Sequence, residues 1–189
     1  LAFVEPADGA VRAGVRGPLV LELADENGID PASLSVHYSS GGVEYASAFA
    51  IAGGRATGTL QPAWTAVGAN TLRAYVKDLA GRVGEAEVTF RVIGATLRGT
   101  VRLATGAPAA GVAVRVDGKI DVVSDEQGAF VVTGLREGSH SAQVVDPVTG
   151  QGVYKSASVP DGGEAAIELQ LPAYAWLVGT VTRRSGALA

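Results

Sequence analysis

LRGTVRLATGAPAAGVAVRVDGKIDVVSDEQGAFVVTGLREGSHSAQV, residues 97–144, decides how this chain folds. Small or apolar residues alternate with polar ones at Leu97, Gly99, Val101 and Leu103, then at Val112, Val114 and Val116, then at Ala142 and Val144. A period of two places one face of each segment on a core and leaves Arg98, Thr100, Arg102, Arg115 and Gln143 toward water, which predicts half-buried strands. Turn formers separate them: Thr105–Pro108, Asp117-Gly118, Asp125–Gly128 and Glu137-Gly138. Gly supplies positive φ, Asp bonds its own downstream backbone and Pro fixes φ, so each cluster reverses the chain. Short strands recurring this often predict a sandwich.

The order of these signals resembles a family. Gly99-Thr100-Val101, the run Gly106–Val114, Ser124–Phe130 and Leu135–His140 are similar to the carboxypeptidase regulatory-like module, a transthyretin-like sandwich, over about Thr96 to Pro172. His140 departs from the pattern, which usually has an aromatic such as Tyr there. The resemblance implies a scaffold, spacer or interaction domain without catalytic residues of its own.

Residues 1–93 predict a first sandwich. Leu1–Val4 and Pro18–Ala24 read as opening strands, with Leu19, Leu21 and Leu23 on one face. Ser33–Tyr38 places Leu34, Val36 and Tyr38 inward. Val43–Ile51 and Arg55–Gln61 form a hairpin across Gly53-Gly54. Asn70–Lys77 and Gly84–Val92 complete a count of seven strands, as in an immunoglobulin-like sandwich. Pro6–Gly9, Asp25–Leu34, Val67–Leu72 and Val76–Gly81 resemble bacterial immunoglobulin-like modules, without the cysteine pair and strand Trp of antibody domains. Trp64 falls in a loop-like stretch and is expected to be a core lid.

The expected architecture is all-β: two tandem seven-stranded Greek-key β-sandwiches, immunoglobulin-like over 1–94 and transthyretin-like over 95–172, with a C-terminal extra strand. Only Ile93–Ala95 connect the two, too short a linker for them to wander apart. Leu177–Ala187 repeats the pattern of Leu97–Ala107 at an offset of 80 residues. Residues 173–189 therefore read as a linker and the first strand of a further module, with Tyr174 and Trp176 at the junction. The chain is expected to be a segment of a longer protein.

The 189 residues suit two small sandwiches, and 47% hydrophobic content with only 6% aromatic means cores built largely from small side chains. Without cysteine, disulfides, thiolate metal sites and a Cys nucleophile are excluded. A net charge of −4, with basic residues scattered singly apart from Arg183-Arg184, argues against nucleic acid as a partner. No apolar run approaches the roughly 18–20 residues of a membrane-spanning helix.

The sequence assigns no catalytic residue, cofactor or metal ligand. His37 points outward beside Ser33 and Ser35, and His140 lies on the inward alternation of the other sandwich, so both are expected to be structural. Ser39, Ser40 and Ser139 lack a Gly-x-Ser-x-Gly context. Asp25, Glu26, Asn27 and Asp30, with Asp8 and Asp78, offer hard oxygens for calcium, but the Asp-x-Asp spacing of a dedicated loop is missing and turn roles are expected. Asp117, Asp121 and Asp125 read as turn residues too. The expected function is a non-catalytic spacer or assembly segment of a large secreted or cell-surface bacterial protein, its partners the neighbouring domains of the same polypeptide. The alternatives are an adhesion module for a surface glycan or protein, with Trp64, Trp176 and the tyrosines as the available aromatics, and an accessory domain of a YD-repeat, toxin-like shell.

Overall fold

The computed structural model describes residues 1–146 and 149–173. Over them the chain forms sixteen strands in four sheets, apart from one short 3-10 turn at Ala46–Ala48. The N-terminal sandwich contains β1 (Ala2–Glu5), β2 (Ala10–Ala13), β3 (Gly17–Glu22), β4 (Ile29–Tyr38), β5 (Val43–Tyr45), β6 (Ala50–Ala52), β7 (Arg55–Leu60), β8 (Gly68–Asp78) and β9 (Val83–Ile93). Its sheets run β1-β3-β7-β6 and β2-β9-β8-β4-β5, the immunoglobulin order with the second sheet extended at both edges. Leu19, Leu21, Leu34, Val36, Leu72, Ala74, Val88 and Phe90 alternate inward from facing strands and close one core.

This sandwich has nine strands where seven were expected, because the chain changes sheets twice. The expected strand over 43–51 is two strands: β5 pairs with β4 in one sheet, the chain crosses over the 3-10 turn, and β6 pairs with β7 in the other. Phe49 anchors the crossing. It is buried, and a Cβ on Gly58 of β7 would stand 2.9 Å from its ring. The opening strand is likewise divided. β1 pairs antiparallel with β3, Pro6–Gly9 carries the chain across, and β2 pairs parallel with β9.

The C-terminal sandwich has seven strands: β10 (Ala95–Arg102), β11 (Ala113–Val116), β12 (Ile120–Val123), β13 (Ala129–Leu135), β14 (Gly138–Val145), β15 (Gly152–Val159) and β16 (Glu164–Gln170). They form the sheets β13-β10-β16 and β12-β11-β14-β15. Leu97, Val101, Phe130, Val132 and Leu169 pack from one sheet onto Val114, Val116, Ala142 and Val144 of the other. Gly99 lies opposite Phe130 in the ladder, and a Cβ there would fall 2.0 Å from the Phe130 ring. The gap in the apolar alternation is thus where the largest core side chain lies down. Leu103 departs from expectation: β10 ends at Arg102, and Leu103 is exposed in the following turn, where its amide bonds the Ala107 carbonyl.

Between β9 and β10 stands Gly94 alone, so the second sheet of one sandwich runs almost directly into the first strand of the other. The expected extra strand at 177–182, with Tyr174, Trp176 and Arg183-Arg184, lies outside the described residues.

Candidate functional site

The best-developed arrangement of polar groups between elements is the joint of the two sandwiches. The β2–β3 loop, Gly14–Arg16, turns toward the C-terminal sandwich because the Gly14 amide bonds the Ile93 carbonyl at the end of β9, at 2.9 Å. That exposes two successive amides to the β15–β16 turn. Asp161 in that turn takes both: Oδ1 accepts from Val15 N–H at 2.8 Å and Oδ2 from Arg16 N–H at 2.9 Å. Hydrogen bonds from amides to a carboxylate are roughly twice as strong as neutral ones, and two from adjacent residues fix an angle as well as a distance. Val15 itself is buried in the N-terminal core, so the loop it anchors is not free to follow the clasp.

Close backbone approach supports the clasp on either side. Gly162 has φ +61°, and a Cβ there would fall 2.4 Å from the Gly14 nitrogen. Gly94 has the same constraint, since its Cβ would lie 2.6 Å from the Gly134 carbonyl carbon and the Leu135 oxygen. The Gly163 carbonyl accepts from Thr96 N–H at 2.9 Å, tying the same turn to β10. At the rim the Arg16 guanidinium grips Glu137 of the β13–β14 turn through both of its carboxylate oxygens, with Nε at 3.2 Å. The bond and charge of Glu137 raise the Arg16 pKa above its ordinary value. Both side chains are substantially solvated, so the pair orients the joint more than it stabilises it.

Sequence reading missed these residues. Asp161-Gly162-Gly163 reads as a turn, and its partners are 145 and 146 residues away. The available signal was an acidic residue beside two glycines that can close the reversal by themselves, leaving its carboxylate unused by the turn.

The aspartates considered for calcium are each engaged with nearby backbone or side-chain donors. Asp25 accepts from Asn27 N–H at 2.8 Å and Asp30 from Ala32 N–H at 3.1 Å. Asp8 accepts from Thr89 N–H at 3.0 Å, a bond that lowers its pKa, and from the Thr89 hydroxyl. Asp78 is buried and accepts from Arg82 N–H at 2.7 Å, and Glu26 and Asn27 are exposed. Asp121 pairs with Arg115 at 2.8 Å across β11–β12, and Asp125 closes its own turn onto Gln127 and Ala129. Among the described residues no group of three or more His, Asp and Glu side chains is arranged to hold a metal ion.

The histidines lie in different sandwiches. His37 faces outward from β4 with its ring edge-on to Tyr75, centroids 5.1 Å apart, and Nε2 3.3 Å from Ser35 Oγ. A serine nucleophile needs a base that a third group orients, and the His37 ring abuts an aromatic instead. Ser39 Oγ accepts from Thr71 N–H, Ser40 Oγ donates to the Trp64 carbonyl, and Ser139 is exposed on β14. His140 is largely enclosed and doubly engaged: Nδ1 stands 2.6 Å from Asp117 Oδ2, and Nε2 stands 2.8 Å from the Arg136 carbonyl. Burial pulls its pKa down, but the bonds to Asp117 and to the Arg136 carbonyl, with the Asp117 charge, outweigh that and raise it. Trp64 lies across Gly42, where a Cβ would stand 2.1 Å from the indole, so it covers the β4–β5 turn while remaining 37% exposed. A groove of about 550 Å³ runs over the outer face of the β13-β10-β16 sheet between Arg98, Thr100, Val131 and Glu168.

The C-terminal sandwich combines seven strands in sheets of three and four with Gly99 beneath Phe130 and the Asp125–Gly128 turn ahead of β13. Residues 96–172 match the carboxypeptidase regulatory-like domain. That match falls on the C-terminal sandwich. A comparison with curated proteins finds no match to this chain. Among solved structures it is similar to the Bacillus anthracis TIE protein (15% identity, TM-score 0.44, 89% of this chain against 40% of that one). It is also similar to BcpA, the major pilin subunit of Bacillus cereus (14%, TM-score 0.35, 81% against 58%). A third likeness is to the fibronectin(III)-like modules of Clostridium thermocellum CbhA (14%, TM-score 0.34, 93% against 98%). The chain thus spans 40% and 58% of the length of the first two. The regulatory-like domain here is preceded, after a single glycine, by an immunoglobulin-type sandwich.

Proposed function

We propose that this chain is a non-catalytic structural segment of a large secreted or cell-surface bacterial protein, in which the immunoglobulin-like sandwich and the regulatory-like domain act as a stiff spacer. The observation that carries the reading is the joint. One glycine of linker, two amides held by Asp161 and two backbone approaches that admit no side chain leave little freedom between the bodies. A spacer works by holding its neighbours at a set separation, and that requires the polar groups of the joint to be satisfied across it. Among the described residues Asp25, Asp30 and Asp125 serve their own turns, and Arg73, Arg98 and Arg115 pair with acids on neighbouring strands. Small-angle scattering on the 189-residue chain is the test: an elongated particle with a single narrow distance distribution supports it, and a distribution broadened by independent lobes rejects it.

A second reading, adhesion to a surface glycan, is favoured by one observation. Tyr45 and Tyr75 stand on either side of Ser35 across β5, β4 and β8, with His37 against Tyr75, and Tyr45 is 65% exposed. Aromatic rings exposed on a sheet surface stack on sugar rings. A glycan array probed with the wild-type chain and Tyr45→Ala decides it: specific hits lost in the variant support the reading, and no hits dismiss it.

A further inference from the structure

We propose that protonation of His140 controls the stiffness of the joint, so that the two sandwiches are locked together in mildly acidic solution and loosened in alkaline solution. This rests on the spacer reading. The starting point is the number of acceptors around one ring. Nδ1 faces the Asp117 carboxylate at 2.6 Å and Nε2 faces the Arg136 carbonyl at 2.8 Å. Both partners accept only, so an imidazolium satisfies both, whereas a neutral ring has one N–H and must turn a lone pair toward the other oxygen.

What the ring connects makes this matter. Asp117 heads the β11–β12 turn with φ +51°, held there by Ser141 N–H on its Oδ1 at 2.9 Å. Arg136 lies in the β13–β14 turn. Joint residues flank it: Glu137 in the same turn grips Arg16, and the backbone of Gly134 and Leu135 at the end of β13 comes close to Gly94. Losing the Nε2–H bond frees the Arg136 carbonyl and with it the turn that carries the Glu137 rim contact to Arg16. Losing the Nδ1–H bond instead leaves Asp117 facing a lone pair, and the ring is repelled from its seat.

Among the described residues the charged groups around the ring are these. Asp117 is the one whose charge acts on it, Arg136 contributes its carbonyl, Lys119 lies two residues along the β11–β12 turn, and Glu137 follows Arg136. On β15, Ala157 is the register partner of His140 and Lys155 is one row on, opposite Ala142. The Asp117 pKa is lowered, burial pushing it up while the His140 and Ser141 bonds pull it down further, so it stays ionised throughout the range concerned. Histidine is the side chain whose ordinary pKa lies between pH 5 and 8, and the other one, His37, meets Tyr75 and Ser35 on the far sandwich's outer face. The sign follows from linkage. A raised folded-state pKa gives a contribution that is complete below the unfolded value of about 6.5 and is lost as pH rises through the folded value.

The test is backbone 15N relaxation of the 189-residue chain at pH 5.5 and pH 8.5, with the His140 ring followed by NMR titration. The expected result is one shared rotational diffusion tensor at pH 5.5 and faster, separately fitted tumbling of the two cores at pH 8.5, with a midpoint at the His140 pKa. His140→Gln should abolish the pH dependence, and Arg16→Ala should abolish it while leaving the His140 titration in place. A shared tensor at both pH values while His140 titrates overturns the proposal and leaves the spacer intact, as does a pH response that survives His140→Gln. Independent tumbling at both pH values overturns the spacer reading itself.

Discussion

Two turn aspartates in the same domain do opposite kinds of work. Asp125 closes its own reversal: Oδ1 accepts from Gln127 N–H at 2.9 Å and from Ala129 N–H at 2.8 Å, so both bonds stay within four residues. Asp161 sits in a turn of similar composition, yet its two oxygens leave the turn for Val15 and Arg16 of the other sandwich. The difference lies in the glycines. Gly162 and Gly163 let the β15–β16 backbone close through Gly163 N–H to the Pro160 carbonyl without help from a side chain. Gly162 also lets the Gly14 backbone come within reach. The side chain that its own turn does not use is free to hold a neighbour.

The comparison can be broken at four places. Gly162→Ala should have the largest effect, because the new Cβ meets the Gly14 backbone at 2.4 Å and the residue must hold φ +61°. A strain of about 1–3 kcal/mol is expected, visible as a changed interdomain orientation and a lowered Tm. Asp161→Ala follows, leaving two amides without an acceptor at a cost of about 1–3 kcal/mol, read as separate melting of the two sandwiches by calorimetry. Asp125→Ala should destabilise only the regulatory-like domain, by about 1 kcal/mol, with the interdomain dipolar couplings unchanged. Arg16→Ala should have the least effect on melting, with any change at neutral pH vanishing in high salt, because that pair is exposed.

Where one strand face met one core, the residues told the story directly. Leu97, Val101, Val114, Val116, Ala142 and Val144 line the core as their alternation indicates, and so do Leu19, Leu21, Leu34, Val36 and Tyr38. Alternation is blind to which sheet a strand joins, and so Val43–Ile51 read as one strand although Phe49 marks a crossing. β2 escaped notice for a related reason: four residues pairing parallel at a sheet edge bury too little to leave a pattern. Leu103 continued the alternation past the end of the ladder, where it has nothing to pack on. The joint was illegible because its bonds link turns far apart in the chain. His140, by contrast, was visible as an inward histidine where the family usually has an aromatic, but its two acceptors, Asp117 and the Arg136 carbonyl, come together only in the fold.

Residual dipolar couplings on the 189-residue chain in one alignment medium at pH 5.5 test the central claim most directly. Alignment tensors fitted separately to the cores around Leu34 and Leu97 should agree in magnitude and orientation when referred to this structure. Tensors of different magnitude would mean that Asp161 and the single-glycine linker do not hold the two sandwiches as one body.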